Sequence, residues 1–148
     1  MNMIIIQLDG GDVRIISGSW YEHVAPSAPS ASWANNPENE VALYILTVKA
    51  GGSVELPTAS SEANRMMYHI DGGTATVESQ KLKPKYGMEL HADLSTVIEA
   101  GKEDVRVLVL QGKPIAEPIS KHGPLSLIHI SEPTRPRLIS YAVFCLKK

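Results

Sequence analysis

The sequence predicts an all-β domain closed as a sandwich or barrel. Three observations predict it. Ten prolines and eleven glycines divide 148 residues into short segments. Those segments are apolar or alternating β-prone runs, parted by turn residues about every ten positions. No run keeps a helical period for longer than roughly two turns.

Met3 to Leu8 is the first apolar run, and Asp9-Gly10-Gly11 ends it. Val13 to Ser17 is the second, so the two are expected to pair as a hairpin across the glycines. Tyr21 to Glu40 is rich in Pro, Ser, Ala and Asn without period. It reads as a long surface loop pinned by Trp33, with Asn36 to Glu40 turning into a strand. Val41 to Lys49, VALYILTVK, is apolar on both faces, as in a strand buried on both sides. Ala50-Gly51-Gly52 turns it into Ser53 to Leu56, which Pro57 closes. Thr58 to Ala63 is a small polar loop, and Asn64 to Ile70 is a strand ended by the turn Asp71-Gly72-Gly73.

Thr74 to Ser79 alternates weakly. Gln80 to Lys85 is basic, and Pro84 makes it a turn or an edge. Lys81, Lys83 and Lys85 share one face there, where charge on a solvated edge discourages sheet-to-sheet aggregation. Gly87 to His91 and Thr96 to Ile98 are short strands around Ala92-Asp93. Ala100-Gly101-Lys102 leads into Val105 to Leu110, VRVLVL, again apolar on both faces. Gly112, Pro114, Pro118 and Gly123-Pro124 then keep the chain extended and turning.

The run LxGxPxxEPxxxxGP, carried by Leu110, Gly112, Pro114, Glu117, Pro118, Gly123 and Pro124, resembles the closing segment of pirin family proteins. Those are two-domain cupins, and the segment belongs to their C-terminal half. Similar text recurs in order at Val13 to Ser17, Ser32-Trp33-Ala34, Pro37-Glu38-Asn39, Val41 to Val48, Leu56-Pro57, Asn64-Arg65 and Tyr68 to Gly72. The resemblance therefore spans about Val13 to Pro124. It implies a cupin-type jelly roll (a double-stranded β-helix), a closed solution that covers most strand edges. It also implies three segments. Residues 1–12 are a strand or linker from a first cupin absent from this chain, and residues 13–124 are the C-terminal cupin. Residues 125–148 fall outside the pattern, leaving the fold incomplete at its end.

The family continues Gly-Pro with Phe-Val-Met-Asn, whereas this chain continues with Leu125-Ser126-Leu127-Ile128. Leu125 to Arg135, LSLIHISEPTR, resembles the in-frame translation of a transposase-type DNA sequencing adapter. Ile139 to Lys148, ISYAVFCLKK, resembles the distal end of the same oligonucleotide running into adenines. Pro136 to Leu138 occupy the place of a variable index. Ser140 to Leu146 would also pass as a natural strand by propensity. The adapter resemblance sets the tail apart as non-native, to be excluded from fold reasoning.

Without the tail, ten basic and fifteen acidic side chains remain, for a formal charge of −5. An acidic domain of this size is a poor surface for nucleic acid. The only cysteine, Cys145, lies in the tail, so the remainder offers no thiol nucleophile and no disulfide. That composition fits a cytoplasmic protein. No apolar run is long enough for a membrane-spanning helix, and Met1 to Leu8 lacks the basic start and apolar length of a signal peptide.

Metal-binding cupins bring a His-x-His pair and a Glu from one motif and a His from a later strand. Alternate strand residues share a face, so paired His at i and i+2 both enter the barrel. By resemblance the first motif falls on Leu56-Pro57-Thr58 and Asn64-Arg65. No His pair stands there, and the cation Arg65 is near the carboxylate's place. His91 lies near the second motif but one residue late, and a one-residue slip turns a strand side chain to the other face. No metal ligand is assigned in this chain. The family's iron ligands belong to the first cupin, so iron is expected only there.

Two functional expectations follow. In one, the chain is the non-catalytic C-terminal cupin of a pirin-like protein, packed against that first cupin. Its intact form would resemble an iron-binding quercetin 2,3-dioxygenase or a transcriptional cofactor. In the other, it is a stand-alone small-molecule-binding cupin, or a degenerate enzyme, using its own barrel mouth. Arg65, Tyr68, His69 and His91 are then the candidate polar contacts. No catalytic residue is assigned in either.

Overall fold

The structure is a computed structural model that describes residues 4–117, 120–122 and 125–127. Two runs of apolar residues meet first: β1 (Ile4–Leu8) and β2 (Gly11–Ser17) pair antiparallel as the expected hairpin. A two-strand ribbon follows, β3 (Ser19–Trp20) with β4 (His23–Val24). Next come β5 (Ala42–Val48), β6 (Ser53–Leu56), β7 (Asn64–Gly72), β8 (Ala75–Val77) and β9 (Gln80–Leu82). The series continues through β10 (Gly87–His91), β11 (Thr96–Ala100) and β12 (Val105–Gly112). No α-helix occurs among the described residues.

Residues 1–114 form one compact unit. Within it, six strands make one sheet in the order β1-β2-β5-β12-β7-β10, and four make another in the order β6-β11-β8-β9. Their inner faces share one core, which includes Val13, Ile15, Tyr44, Leu46, Val48, Met67, Val107 and Val109 from the larger sheet and Val54, Leu56, Val77, Leu82 and Ile98 from the smaller. Residues 115–148 form a second unit. Its described part is the antiparallel pair β13 (Ser120–His122) and β14 (Leu125–Leu127). The first three residues of the adapter-like tail thus lie in a strand, and the rest of that tail lies outside the described residues.

Three expectations are corrected. β5 and β12 are buried on one face only: Ala42, Tyr44, Leu46 and Val48 are buried, while Leu43, Ile45 and Thr47 are half-buried. In β12, Val105, Val107 and Val109 are buried, Leu108 is half-buried, and Arg106 and Leu110 are exposed. The smaller sheet covers one side of the larger, and an apolar outer row in the sequence does not say what lies over it. The second correction concerns the loop at Tyr21 to Glu40. Trp33 is exposed, and it is Trp20 that is buried, edge-on against Tyr44 with ring centroids 5.2 Å apart. The loop also holds two 3-10 turns, Trp33–Asn35 and Pro37–Asn39, capped by the side chains of Ser32 and Asn36. The third correction is that Asp71-Gly72 continue β7 rather than ending it. Ile70 is an extra residue against β12 there, a bulge that sets Asp71 opposite Arg106.

The basic segment is an edge, as expected, but its strand ends at Leu82, so Lys83 and Lys85 lie beyond it and do not share a strand face with Lys81. β9 is an edge strand with Lys81 exposed and Leu82 buried. It joins β8 through Glu78-Ser79, both at positive φ, the backbone of a two-residue hairpin turn.

Candidate functional site

β7 brings Arg65, Met67 and His69 to the barrel interior because alternate strand residues share a face. Arg65 is only 2% exposed. Its register partner across β12 is Gln111, at the end of the inward row Val105, Val107 and Val109. Arg65 Nε donates to Gln111 Oε1 at 2.9 Å, and Nη2 donates both to that oxygen and to the Pro57 carbonyl, the latter at 2.6 Å. The Gln111 amide is itself oriented, since Nε2 donates to the Glu40 carbonyl at 3.1 Å. Arg65 Nη1 is buried and has no hydrogen-bond partner. Burial pushes the Arg65 guanidinium below its ordinary pKa, while the neighbouring Tyr44 hydroxyl opposes that shift.

Beside Arg65 lies a cavity of about 630 Å³ between the end of the barrel and the Ser17 to Pro37 loop. Its wall includes Tyr21, Val24, Ala25, Asn36, Glu40, Ala42, Tyr44, Pro57, Thr58 and Gln111. Tyr44 is buried and donates to the Ser19 carbonyl, which anchors the loop to the sheet. Burial raises its phenol to about 12, so it is a neutral donor at any working pH. Glu40 sits in a left-handed backbone conformation with φ 50°. Its carboxylate accepts from the Ser60 hydroxyl and from the Ser60 N–H at 3.0 Å, and it lies 3.5 Å from Lys113 Nζ. The Ser60 hydroxyl bond most of all holds Glu40 below the ordinary carboxylate range, with Lys113 adding to it. Lys113 also pairs with Glu62 at 3.1 Å.

The four contacts expected from sequence do not converge. Arg65 lines the cavity. Tyr68 is one residue from the inward row, so it stands on the outer face of the sheet, 39% exposed. His69 is buried on the inner face, but its Nε2 is 2.6 Å from the Gly73 carbonyl and it does not line the cavity. His91 pairs with Asn64 at the end of β10 and is exposed, while its neighbour Leu90 packs on the core beside Arg65. The one-residue slip therefore does turn His91 outward. Gln111, Tyr44 and Glu40 were missed as site residues. Sequence marks Gln111 only as a lone polar residue at the end of an inward apolar row.

This interior does not fit a metal ion. The buried guanidinium of Arg65 and the side chain of Leu90 lie side by side in it, neither of them a metal ligand, and no group of three or more His, Cys, Asp or Glu suited to an ion occurs among the described residues.

The sequence profile of the Pirin C-terminal cupin domain matches residues 43–126. The chain belongs to this family. A Pseudomonas aeruginosa protein provisionally named a quercetin 2,3-dioxygenase is 30% identical over 122 residues, covering 78% of this chain and 39% of the relative. A crystal structure titled quercetin 2,3-dioxygenase from Acinetobacter baumannii superposes with a TM-score of 0.69 at 18% identity, covering 99% of this chain and 44% of that one. A protein from Geobacillus kaustophilus superposes with a TM-score of 0.63 at 19% identity, covering 79% of this chain and 45% of that one. These two likenesses carry the cupin jelly-roll fold. This pirin cupin spans about two fifths of the curated relative's length and under half of each of the two solved structures. No helix among the described residues is long and apolar enough to cross a membrane.

Proposed function

We propose that this chain is the non-catalytic C-terminal cupin of a pirin-like bicupin, and that any iron chemistry resides in a first cupin outside it. The observation that carries the reading is the barrel interior, where the buried guanidinium of Arg65 and the side chain of Leu90 stand near the places at which the resemblance would put metal ligands. The partner is that first cupin. Support comes from the outer face of the larger sheet, where Tyr68, Ile70 and Leu110 are exposed on adjoining strands. The intact protein would then resemble an iron-binding quercetin 2,3-dioxygenase or a transcriptional cofactor. Elemental analysis of the purified chain tests the reading: less than a tenth of an equivalent of iron is expected, and one tightly held equivalent overturns it.

Residues 125–148 belong in this proposal as adapter-derived sequence. Re-reading the locus on long templates is expected to give a different continuation after Pro124, with Phe-Val-Met-Asn-like text. Genomic codons for Leu125 to Lys148 would refute that.

A second reading is favoured by the cavity at Arg65, whose volume suits a small ligand. The domain would then bind a small molecule in its own barrel mouth, as a stand-alone binder or a degenerate enzyme. A flavonol that raises the melting temperature of the chain supports it, and no shift across a ligand panel counts against it.

A further inference from the structure

We propose that the outer face of the larger sheet pairs with the same face of a second copy of this chain, about a two-fold axis along β12. The inference goes beyond both functional readings. The face is present whether the chain is one half of a bicupin or stands alone, and in a bicupin a first cupin would take the copy's place.

The face is apolar at its centre. Strand register lines up Ile45 of β5, Leu108 of β12 and Tyr68 of β7 in one row, and Leu43, Leu110 and Met66 in the next. All six alternate with inward core residues, so they point away from the barrel. Tyr68 and Leu110 are exposed, and the other four are half-buried. Two rows of large apolar side chains on three adjacent strands go beyond the scattered single residues that a monomer's surface normally shows. The six strands of the sheet, about 4.8 Å apart and about 24 Å long, offer roughly 700 Å². A stable interface takes about 800 Å² from each partner.

Charge decides what covers the face. Among the described residues, neither Arg14 nor Glu89 forms an ion pair. Arg14 is half-buried on the outer face of β2, in a recess it shares with Ile45 and Arg106. Glu89 is exposed on the outer face of β10, between Met88 and Leu90, which pack on the core. In the order β2-β5-β12-β7-β10, β12 is the middle strand. A two-fold along it lays β5 on the partner's β7 and β2 on the partner's β10. Leu108 then meets its own counterpart, and Ile45 meets the partner's Tyr68. Arg14 comes over the partner's Gly87, which stands in its row and has no side chain to block it, and reaches the partner's Glu89 one row on. The symmetry makes this ion pair twice. Arg106 also lies on the outer row of β12, but Asp71 of the same chain neutralises it. A different protein would need its own match to this pattern of charge, whereas a second copy carries it by symmetry.

Sedimentation equilibrium of the full chain over a dilution series tests the pairing, with a reductant present to keep Cys145 from cross-linking two copies. A monomer–dimer equilibrium is expected. Arg14→Glu and Glu89→Arg should each weaken it by about tenfold or more, since each sets two like-charge pairs in the interface. The double variant Arg14→Glu with Glu89→Arg restores both pairs, so it should return to within about threefold of the natural sequence. Cooperative urea unfolding checks that each variant folds. Should one fail to fold, the natural sequence decides: the Leu108 methyl resonances should move on dilution while those of buried Leu46 stay still. A monomer at every concentration leaves the face to a different protein and overturns the proposal. So does a dimer indifferent to the single reversals, a double variant as weak as the singles, or an unmoved Leu108. Iron content bears on the non-catalytic reading and leaves this one untouched.

Discussion

Arg65 and Gln111 face one another across β7 and β12, and the carboxamide oxygen of one holds two nitrogens of the other. Their unequal roles yield a stability prediction. Gln111→Leu removes the acceptor and leaves a buried cation short of partners, at a cost of about 2–3 kcal/mol. Arg65→Met removes the charge and keeps the volume but leaves Gln111 Oε1 and the Pro57 carbonyl without their donor, so it should cost less than Gln111→Leu, about 1 kcal/mol. Urea unfolding of both variants checks this. A larger loss for Arg65→Met than for Gln111→Leu would show that the guanidinium supports the fold more than the sheet does.

The two tryptophans separate loop from core. Trp20 is 2% exposed, packed edge-on to Tyr44, so Trp20→Ala should cost about 3–5 kcal/mol. Trp33 is 40% exposed, and its noted bond, from Asn39 Nδ2 at 2.8 Å, uses its backbone carbonyl. Trp33→Ala should therefore stay within about 0.5 kcal/mol of the natural sequence. Thermal unfolding followed by fluorescence distinguishes them, and comparable losses would refute the assignment of Trp20 as the anchor.

Two glycines share positive φ but not surroundings. Gly51 has φ 71° with open space about it, whereas a Cβ on Gly72 (φ 89°) would come within 2.1 Å of the Asp104 carbonyl oxygen. Gly51→Ala should cost about 1–2 kcal/mol, the backbone strain alone. Gly72→Ala adds the clash at the β7–β12 pairing and should cost about 3 kcal/mol or more. Denaturant midpoints test the order, and equal losses would mean that β12 shifts freely.

Acid should destabilise the domain through two carboxylates. Asp104 accepts from the Ala50 N–H at 2.9 Å and from Lys49 Nζ at 3.0 Å, and these bonds lower its pKa from the ordinary 3.8. Glu40 is lowered from 4.5 by Ser60 and Lys113. A lowered folded pKa means that stabilisation is fully present above the unfolded value and is lost as pH falls through the folded one. The melting temperature should be level from pH 7 to about 5 as far as these groups decide it, then fall. A protein carrying both Asp104→Asn and Glu40→Gln should melt lower at pH 7 and show a shallower acid slope. An unchanged slope would place the acid sensitivity elsewhere.

The placement of strands was legible in the sequence where a single chain segment carries its own signal. Gly-Gly turns, proline stops and β-branched runs mark β2, β5, β6, β7 and β12 because these are local properties of backbone and side chain. The pirin family followed from the ordered wording between Val13 and Pro124, and the outward turn of His91 followed from period-two alternation. Only the tertiary structure decided which apolar face is covered, because VRVLVL reads the same whether one sheet or two lie against it. It alone chose Trp20 over Trp33, since burial depends on what the loop folds onto. It alone also joined Arg65 to Gln111, 46 residues apart in the chain. That pairing is set by strand register, which brings a lone arginine and a lone glutamine to the same end of the barrel and makes a site of them.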